Sequence, residues 1–491
     1  MTATPILIPL TFAILCLIAW QRSAIQHVLG FIGSGLLLFD SIYLLNKVYF
    51  SGIQTTQIGG WPAPFGISLV IDQFSALILV AAAFIALVIV AYAKAAIDPA
   101  RLRYGFHPLF FLLIMGVNGA FITGDLFNLY VWFEVLLMAS FVLIAYGGER
   151  PQIEGAMKYV MINLLSSTLF LSAIGLTYSL TGTLNFAHLS RIIPTIQNPH
   201  QITVVAILFL IAFGIKSAVF PLFFWLPASY HTAPVTITAL FSALLTKVGV
   251  YALIRVFTML FVNDIAYTHT IILVISGFTM VTGVLGAAAQ TDIRRLLSFH
   301  IISQIGYLLM GLGLFTPGSL SATIYFMIHI MLAKTALFLI AGIMQRVLGS
   351  FDLKKMGSLY QKRVWLSILF LIPALSLAGL PPLSGFFAKL GLIISGLETN
   401  HWLITITALA VSFMTLYSMT KVWNEAFLKN SEKPLRNPGK KVSRWMVFST
   451  ICLVFISLLF GFLVEPISQL TLSAANQLLN PEIYIGVVLG E

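Results

Sequence analysis

The chain alternates long apolar runs with short polar breaks from its first residues to its last. Apolar stretches of about 20 residues, each long enough to cross a hydrocarbon layer of roughly 30 Å, recur throughout. Fourteen spans are predicted, at about 5–20, 28–50, 69–93, 107–123, 126–146, 157–180, 203–225, 234–258, 270–289, 299–315, 321–345, 365–397, 402–424 and 445–465. Lipid offers no partner for a bare peptide group, so helices that satisfy their own backbone are the expected spanning form. The pattern predicts an all-α polytopic membrane protein. The first run has no basic residue ahead of it, whereas a signal peptide needs a positive start, so it is expected to be kept as the first helix.

Proline interrupts two spans. The seventh carries Lys216, Pro221 and Pro227, and the twelfth carries Pro381, Pro382 and Lys389. An interior proline removes a helical hydrogen bond and clashes with the preceding turn, at a cost of about 3 kcal/mol. The breaks are five helices apart, so they run in opposite directions across the membrane. Discontinuous helices at corresponding places of two inverted halves mark a transport site. Two inverted five-helix repeats are therefore expected: residues 1–106 as three leading helices, 107–260 and 261–430 as the repeats, and 431–491 as a last helix and tail. Lys216 precedes its break whereas Lys389 follows its own.

Composition adds exclusions. Of 491 residues 59% are hydrophobic and 9% charged, against roughly a quarter charged in a soluble domain. The net charge of +11 comes from Lys and Arg scattered through short loops, not from one basic face, so no nucleic-acid partner is expected. Twenty basic residues fall in the loops after odd-numbered spans (Arg22; Lys94, Arg101, Arg103; Arg150, Lys158; Arg294, Arg295; Arg346 to Arg363; Lys421 to Arg444), while three, Lys47, Arg191 and Arg255, fall on the other side. That bias fixes the orientation and supports an even number of spans, with both termini outside. Seven tryptophans (Trp20, Trp61, Trp225, Trp365, Trp402, Trp423 and Trp445) lie near span ends, where an amphipathic ring prefers the interface; Trp132 does not. Cys16 and Cys452 are isolated in apolar runs, and no metal-ligand spacing, haem ligation or nucleotide loop is present, so no cofactor is expected.

The chemistry is carried by charges at the wrong depth. Glu134, Lys216, Lys247 and Lys334 lie near the middles of spans five, seven, eight and eleven, and Lys389 lies well inside span twelve. Each costs about 2.5–3.5 kcal/mol if it faces lipid at a helix centre. A lysine side chain reaching roughly 6 Å does not snorkel across the roughly 15 Å from midplane to interface. A static ion pair with Glu134 accounts for one lysine and leaves the others unpaired. Burial disfavours a charged group and an approaching opposite charge favours it, so a buried lysine whose partner comes and goes changes its proton affinity. A row of coupled groups, Glu134, Lys216, Lys247, Lys334 and Lys389, is thus expected to relay protons. His329 and His300 are candidate intermediates or hydrogen-bonded packing residues. Asp40 is expected to make a polar contact between helices. His231 stands either near a proton entry or in a plain loop.

At these residues the chain resembles the antiporter-like family shared by Mrp-type sodium/proton antiporters and the proton-pumping subunits of respiratory complex I. The resemblance covers all fourteen spans. It rests on Glu134, on Lys158 in Glu154-Gly-Ala-Met-Lys158-Tyr, on Lys216, on Lys247 in Leu-Leu-Thr-Lys247-Val-Gly, on the run from Asp292 to Tyr307, and on Gly379-Leu-Pro-Pro-Leu-Ser-Gly-Phe-Phe-Ala-Lys389. It implies that Glu134 and Lys216 form the pair gating the proton, and that Lys247, Lys334 and Lys389 carry it onward. It also implies a secondary transporter subunit, not an enzyme, whose partners are other antiporter subunits, protons, sodium ions and the bilayer. Lysine at 389, where one complex I chain of similar size has glutamate, argues against that chain. A complex I pump subunit remains the alternative, and a structural scaffold is a third reading.

Overall fold

The computed structural model describes residues 2–430 and 442–491. Helices α1 (Thr4–Ile18), α2 (Ser23–Ser51), α3 (Gln73–Ala96), α4 (Phe106–Ile122), α5 (Leu126–Ile144) and α6 (Arg150–Thr181) cover the first six spans. They are followed by α7 (Pro199–Ser217), α8 (Val235–Met259), α9 (Ile265–Ala289), α10 (Ile293–Leu314) and α11 (Pro317–Leu348). The twelfth span is two half-helices, α12 (Val364–Ala378) and α13 (Ser384–Glu398), and α14 (Trp402–Trp423) and α15 (Arg444–Phe462) complete the set. Among the described residues eleven helices are long and apolar enough to cross a membrane, and α1, α4 and α12 are shorter apolar helices. Every predicted span has its helix.

Local sequence sets the ends. Asp72 and Thr316 close capping boxes at the starts of α3 and α11, while Asp125 and Asp292 accept backbone N–H groups at the starts of α5 and α10. Gly182 and Gly349 end α6 and α11 in the left-handed conformation. A helix apolar on all sides belongs inside the bundle. Accordingly α8 and α11 are buried nearly all round, as is α10, whereas α2, α14 and α15 turn Phe39, Phe413 and Phe455 outward. The central α11 packs on α8, α10, α13 and α15. Lys247 and Lys334 are thus carried by interior helices.

Corresponding devices recur in the two halves. Isolated bridges join Asp125 to Asn185 and Asp292 to Asp352, the same separation in sequence. Both breaks begin with a left-handed residue, Ala218 at φ 60° after α7 and Gly379 at φ 90° after α12.

Several expectations need correction. The seventh span is helical only to Ser217; the chain is then irregular until a short helix at Trp225–Ser229. Trp225 is not an interfacial anchor: it is 5% exposed, and its Nε1 donates to the Ile215 carbonyl in the last turn of α7. Helix α6 starts at Arg150, so Lys158 lies two turns inside it, paired with Glu154 at 2.6 Å on an exposed face. Arg255 is no loop residue. It is buried in α8 and donates to Asp72 at 2.6 Å and to Tyr251 at 2.8 Å. A small hairpin, β1 (Gln54–Gln57) and β2 (Ser68–Ile71), precedes α3. The tail is helical, as α16 (Val464–Leu479) and α17 (Glu482–Leu489). Lys433, Arg436, Lys440 and Lys441 of the predicted basic cluster lie outside the described residues. Three arginines predicted for that side do converge: Arg101, Arg294 and Arg346, with Glu149 and Thr232, line one cavity of about 330 Å³.

Candidate functional site

The four deep lysines are buried, Lys247 and Lys334 completely, Lys389 to 3% and Lys216 to 4% exposure. None reaches lipid. None forms an ion pair among the described residues, and neither does Glu134. A structural salt bridge therefore does not account for them.

Lys216 is the next-to-last residue of α7. Its Nζ donates to Ser167 Oγ on α6 at 3.1 Å and stands 5.0 Å over the Phe133 ring, a favourable seat for a cation. Glu134, beside Phe133 on α5, is half-buried; its Oε1 is shut off from solvent without a hydrogen-bond partner. The carboxylate acts on Lys216 through space without touching it. Next to the break, α8 comes close. A Cβ on Gly249 would lie 2.5 Å from Ser217 Oγ and 2.9 Å from Ser217 N, so only glycine fits there. Lys247 lies two residues earlier on α8, about 200° around the helix. Its Nζ bends back to the Ser242 carbonyl at 2.5 Å and to Thr246 Oγ1 at 3.4 Å.

Lys334 is held loosely, 3.4 Å from the Leu297 carbonyl of α10, and feels both Lys247 and Lys389. Lys389 follows its break but reaches back across it. Nζ donates to the Leu377 carbonyl at 2.9 Å and the Ala378 carbonyl at 3.3 Å, and it stands 4.7 Å over the Tyr307 ring. These carbonyls are the free end of α12, the negative end of its dipole. Lys216 stands five residues before Pro221, and Leu377 stands five before Pro382. The Lys389 ammonium thus reaches back to a residue as far before its prolines as Lys216 is before Pro221.

His329 pairs through Nδ1 with Ser384 Oγ at 2.9 Å, and Ser384 meets Ser376 across the break at 3.2 Å. His300 pairs through Nε2 with Ser418 at 2.6 Å. Lys334 and Lys389 act electrostatically on both rings. The structure therefore gathers Glu134 with Lys216, and Lys247, Lys334 and Lys389 with His300 and His329. Asp40 accepts from Thr4 Oγ1 at 2.8 Å, an interhelical contact away from the row. The sequence reading missed Ser167, Ser376, Ser384, Tyr307 and Gln304. Nothing local sets them apart from the other polar residues of the apolar spans.

His231 lies between α7 and α8. Arg295 Nη2 approaches its Nε2 at 3.1 Å, and its Nδ1 is 2.8 Å from the Pro227 carbonyl. A guanidinium only donates, so Nε2 accepts and Nδ1 carries the proton. Burial first, then the Arg295 charge, holds the imidazole below its ordinary value. The unfolded chain then binds a proton before the folded one as pH falls below about 6.5. The contribution to stability is complete above that pH and is lost below it. The melting temperature of the purified protein should drop more steeply between pH 6.5 and 5 in wild type than in His231→Gln; parallel curves would refute this.

A bundle of membrane-length helices with titratable groups buried in its interior defines a polytopic membrane protein. The family described as NADH:quinone oxidoreductase/Mrp antiporter, TM, matches residues 123–415. A Na(+)/H(+) antiporter subunit from Alkalihalophilus pseudofirmus is 45% identical over 488 residues, covering 99% of each chain. Among solved structures, a chain of the Mrp complex from Dietzia sp. DQ12-45-1b superposes with a TM-score of 0.93 at 31% identity, covering 100% of this chain and 99% of that one. A chain of respiratory complex I from Thermus thermophilus shares the fold, with a TM-score of 0.84 at 23% identity over 98% of this chain and 100% of that one. The chain belongs to the NADH:quinone oxidoreductase/Mrp antiporter membrane family.

Proposed function

We propose that the chain is the proton-translocating subunit of a multisubunit sodium/proton antiporter, moving protons along its buried row in exchange for sodium. The observation that carries this is the burial of four lysines and a partly buried glutamate that never neutralise one another in ion pairs. Such groups are held by hydroxyls, carbonyls and ring faces, partners that tolerate both protonation states. Glu134 and Lys216 gate the proton. Lys247, Lys334, His329 and Lys389 take it onward toward the second break. The paired bridges and matched breaks support the division into inverted repeats at 107–260 and 261–430.

The other subunits of the complex are its partners, as the names of the similar proteins suggest. The convergence of Arg101, Arg294 and Arg346 on one cavity supports a single cytoplasmic side, with both termini outside, in a bacterial cell membrane. The test is a pH gradient imposed on vesicles holding the whole complex. Adding sodium should dissipate it, with potassium and lithium as comparisons for selectivity. No response to any of the three cations would overturn the proposal, and proton movement tied to quinone reduction would favour a redox pump instead.

A further inference from the structure

We propose that Gln304 holds a water molecule against His329 and so completes the hydrogen-bonded path through the second half of the bundle. This rests on the proton-translocating reading above.

Gln304 lies in the middle of α10 with no exposure at all, and neither its Oε1 nor its Nε2 has a hydrogen-bond partner among the described residues. A dry amide in such a place is costly, and buried polar groups without protein partners are ordinarily met by water. The register of α10 against α11 shows where this amide points. Gly311 of α10 meets Thr323 of α11, while the Leu297 carbonyl of α10 meets Lys334 of α11. Gln304 is seven residues from both Leu297 and Gly311, and His329 is five from Lys334 and six from Thr323. Seven residues make nearly two helical turns, so Gln304 shares its direction with the two positions that touch α11. It therefore faces α11 at the level of His329.

His329 has a spare nitrogen. Its Nδ1 is engaged by Ser384, while Nε2 is buried without a partner. Nε2 borders Gly385, where a Cβ would lie 2.9 Å from Nε2 and 1.8 Å from the Ser376 carbonyl. The amide and the ring nitrogen give a water the two partners it needs at least. An amide suits this position because it donates and accepts at once yet takes no charge, next to Lys334 and Lys389. The water oxygen accepts an incoming proton and passes a proton from its other O–H to His329 Nε2. Gln304 keeps both of its own. It is a positioning residue.

Two measurements test this. In a high-resolution cryo-EM map of the assembled complex, water density should lie about 3 Å from both the Gln304 amide and His329 Nε2. A dry contact there would overturn the proposal whatever ion the complex carries. In proteoliposomes, Gln304→Leu should lower sodium-driven proton flux by roughly tenfold or more, with the apparent sodium KM unchanged, and Gln304→His should restore most of it because imidazole also donates and accepts. Wild-type flux in Gln304→Leu, or equal loss in Gln304→His, would sink the idea. Gln304→Met makes the same comparison should the leucine variant fail to assemble. If wild-type complex shows no sodium-linked flux, the antiport reading falls and the map alone decides on the water.

Discussion

Lys216→Ala and Glu134→Ala should each abolish sodium-driven proton movement in vesicles while leaving the complex assembled. Lys216 is buried against Ser167 and Phe133, and its only acidic neighbour in the row is Glu134. Truncating the lysine removes a desolvated charge, which favours folding, and leaves the Ser167 hydroxyl without its donor at about 1–3 kcal/mol. The two effects oppose, so assembly survives. On the proposed mechanism transport does not, because the proton then has no group to occupy at this gate; the expected loss is at least about a hundredfold. Glu134→Gln is the sharper control, since it keeps shape and removes only the charge. Dye-monitored pH gradients read the flux, and native gels read assembly. Full flux in a well-assembled variant would remove Glu134 and Lys216 from the mechanism.

The largest effect on stability should come from Asp72→Ala. Asp72 is the N-cap of α3, and it receives Arg255 Nη1 at 2.6 Å and Ser75 N at 2.9 Å. Arg255 also donates to Tyr251 and lies 5.6 Å from the Tyr484 ring of α17. One acid thus joins the hairpin end, α3, α8 and the tail. Both side chains are nearly closed to solvent, at 7% for Arg255 and 3% for Asp72. Removing one partner of a buried pair leaves an uncompensated charge and costs about 3–5 kcal/mol, with about 1 kcal/mol more for the lost cap. The melting temperature of detergent-solubilised protein should fall sharply. Asp72→Asn with Arg255→Met should recover part of the loss, because neither charge then stays buried alone. A single variant as stable as wild type would contradict the account.

Much of this was legible in the sequence because lipid makes errors expensive. A lysine at mid-span and a proline inside an apolar run are each costly enough to announce a function or a break, and Lys216, Lys247, Lys334, Lys389 and both broken helices were found that way. Hydroxyls are cheap in a helix, where they bond back to their own carbonyls. Ser167 and Ser384, the partners of Lys216 and His329, therefore looked like many other serines until the bundle brought them together. Arg255 was read as a loop residue because it is near a span end; nothing local reveals that Asp72 waits beside it. The tail escaped because α16 buries Thr471, Ala474, Ala475 and Leu478, a narrow helical stripe that average hydropathy does not register.

The seat of Lys389 has one more implication. Its countercharge is the end of a helix rather than a carboxylate. An acid can be silenced by a proton, but a peptide carbonyl cannot; it withdraws its influence only by moving. Filling that ammonium would strengthen the tie between the two half-helices and emptying it would weaken the tie, so a change of charge there would pull on the break itself.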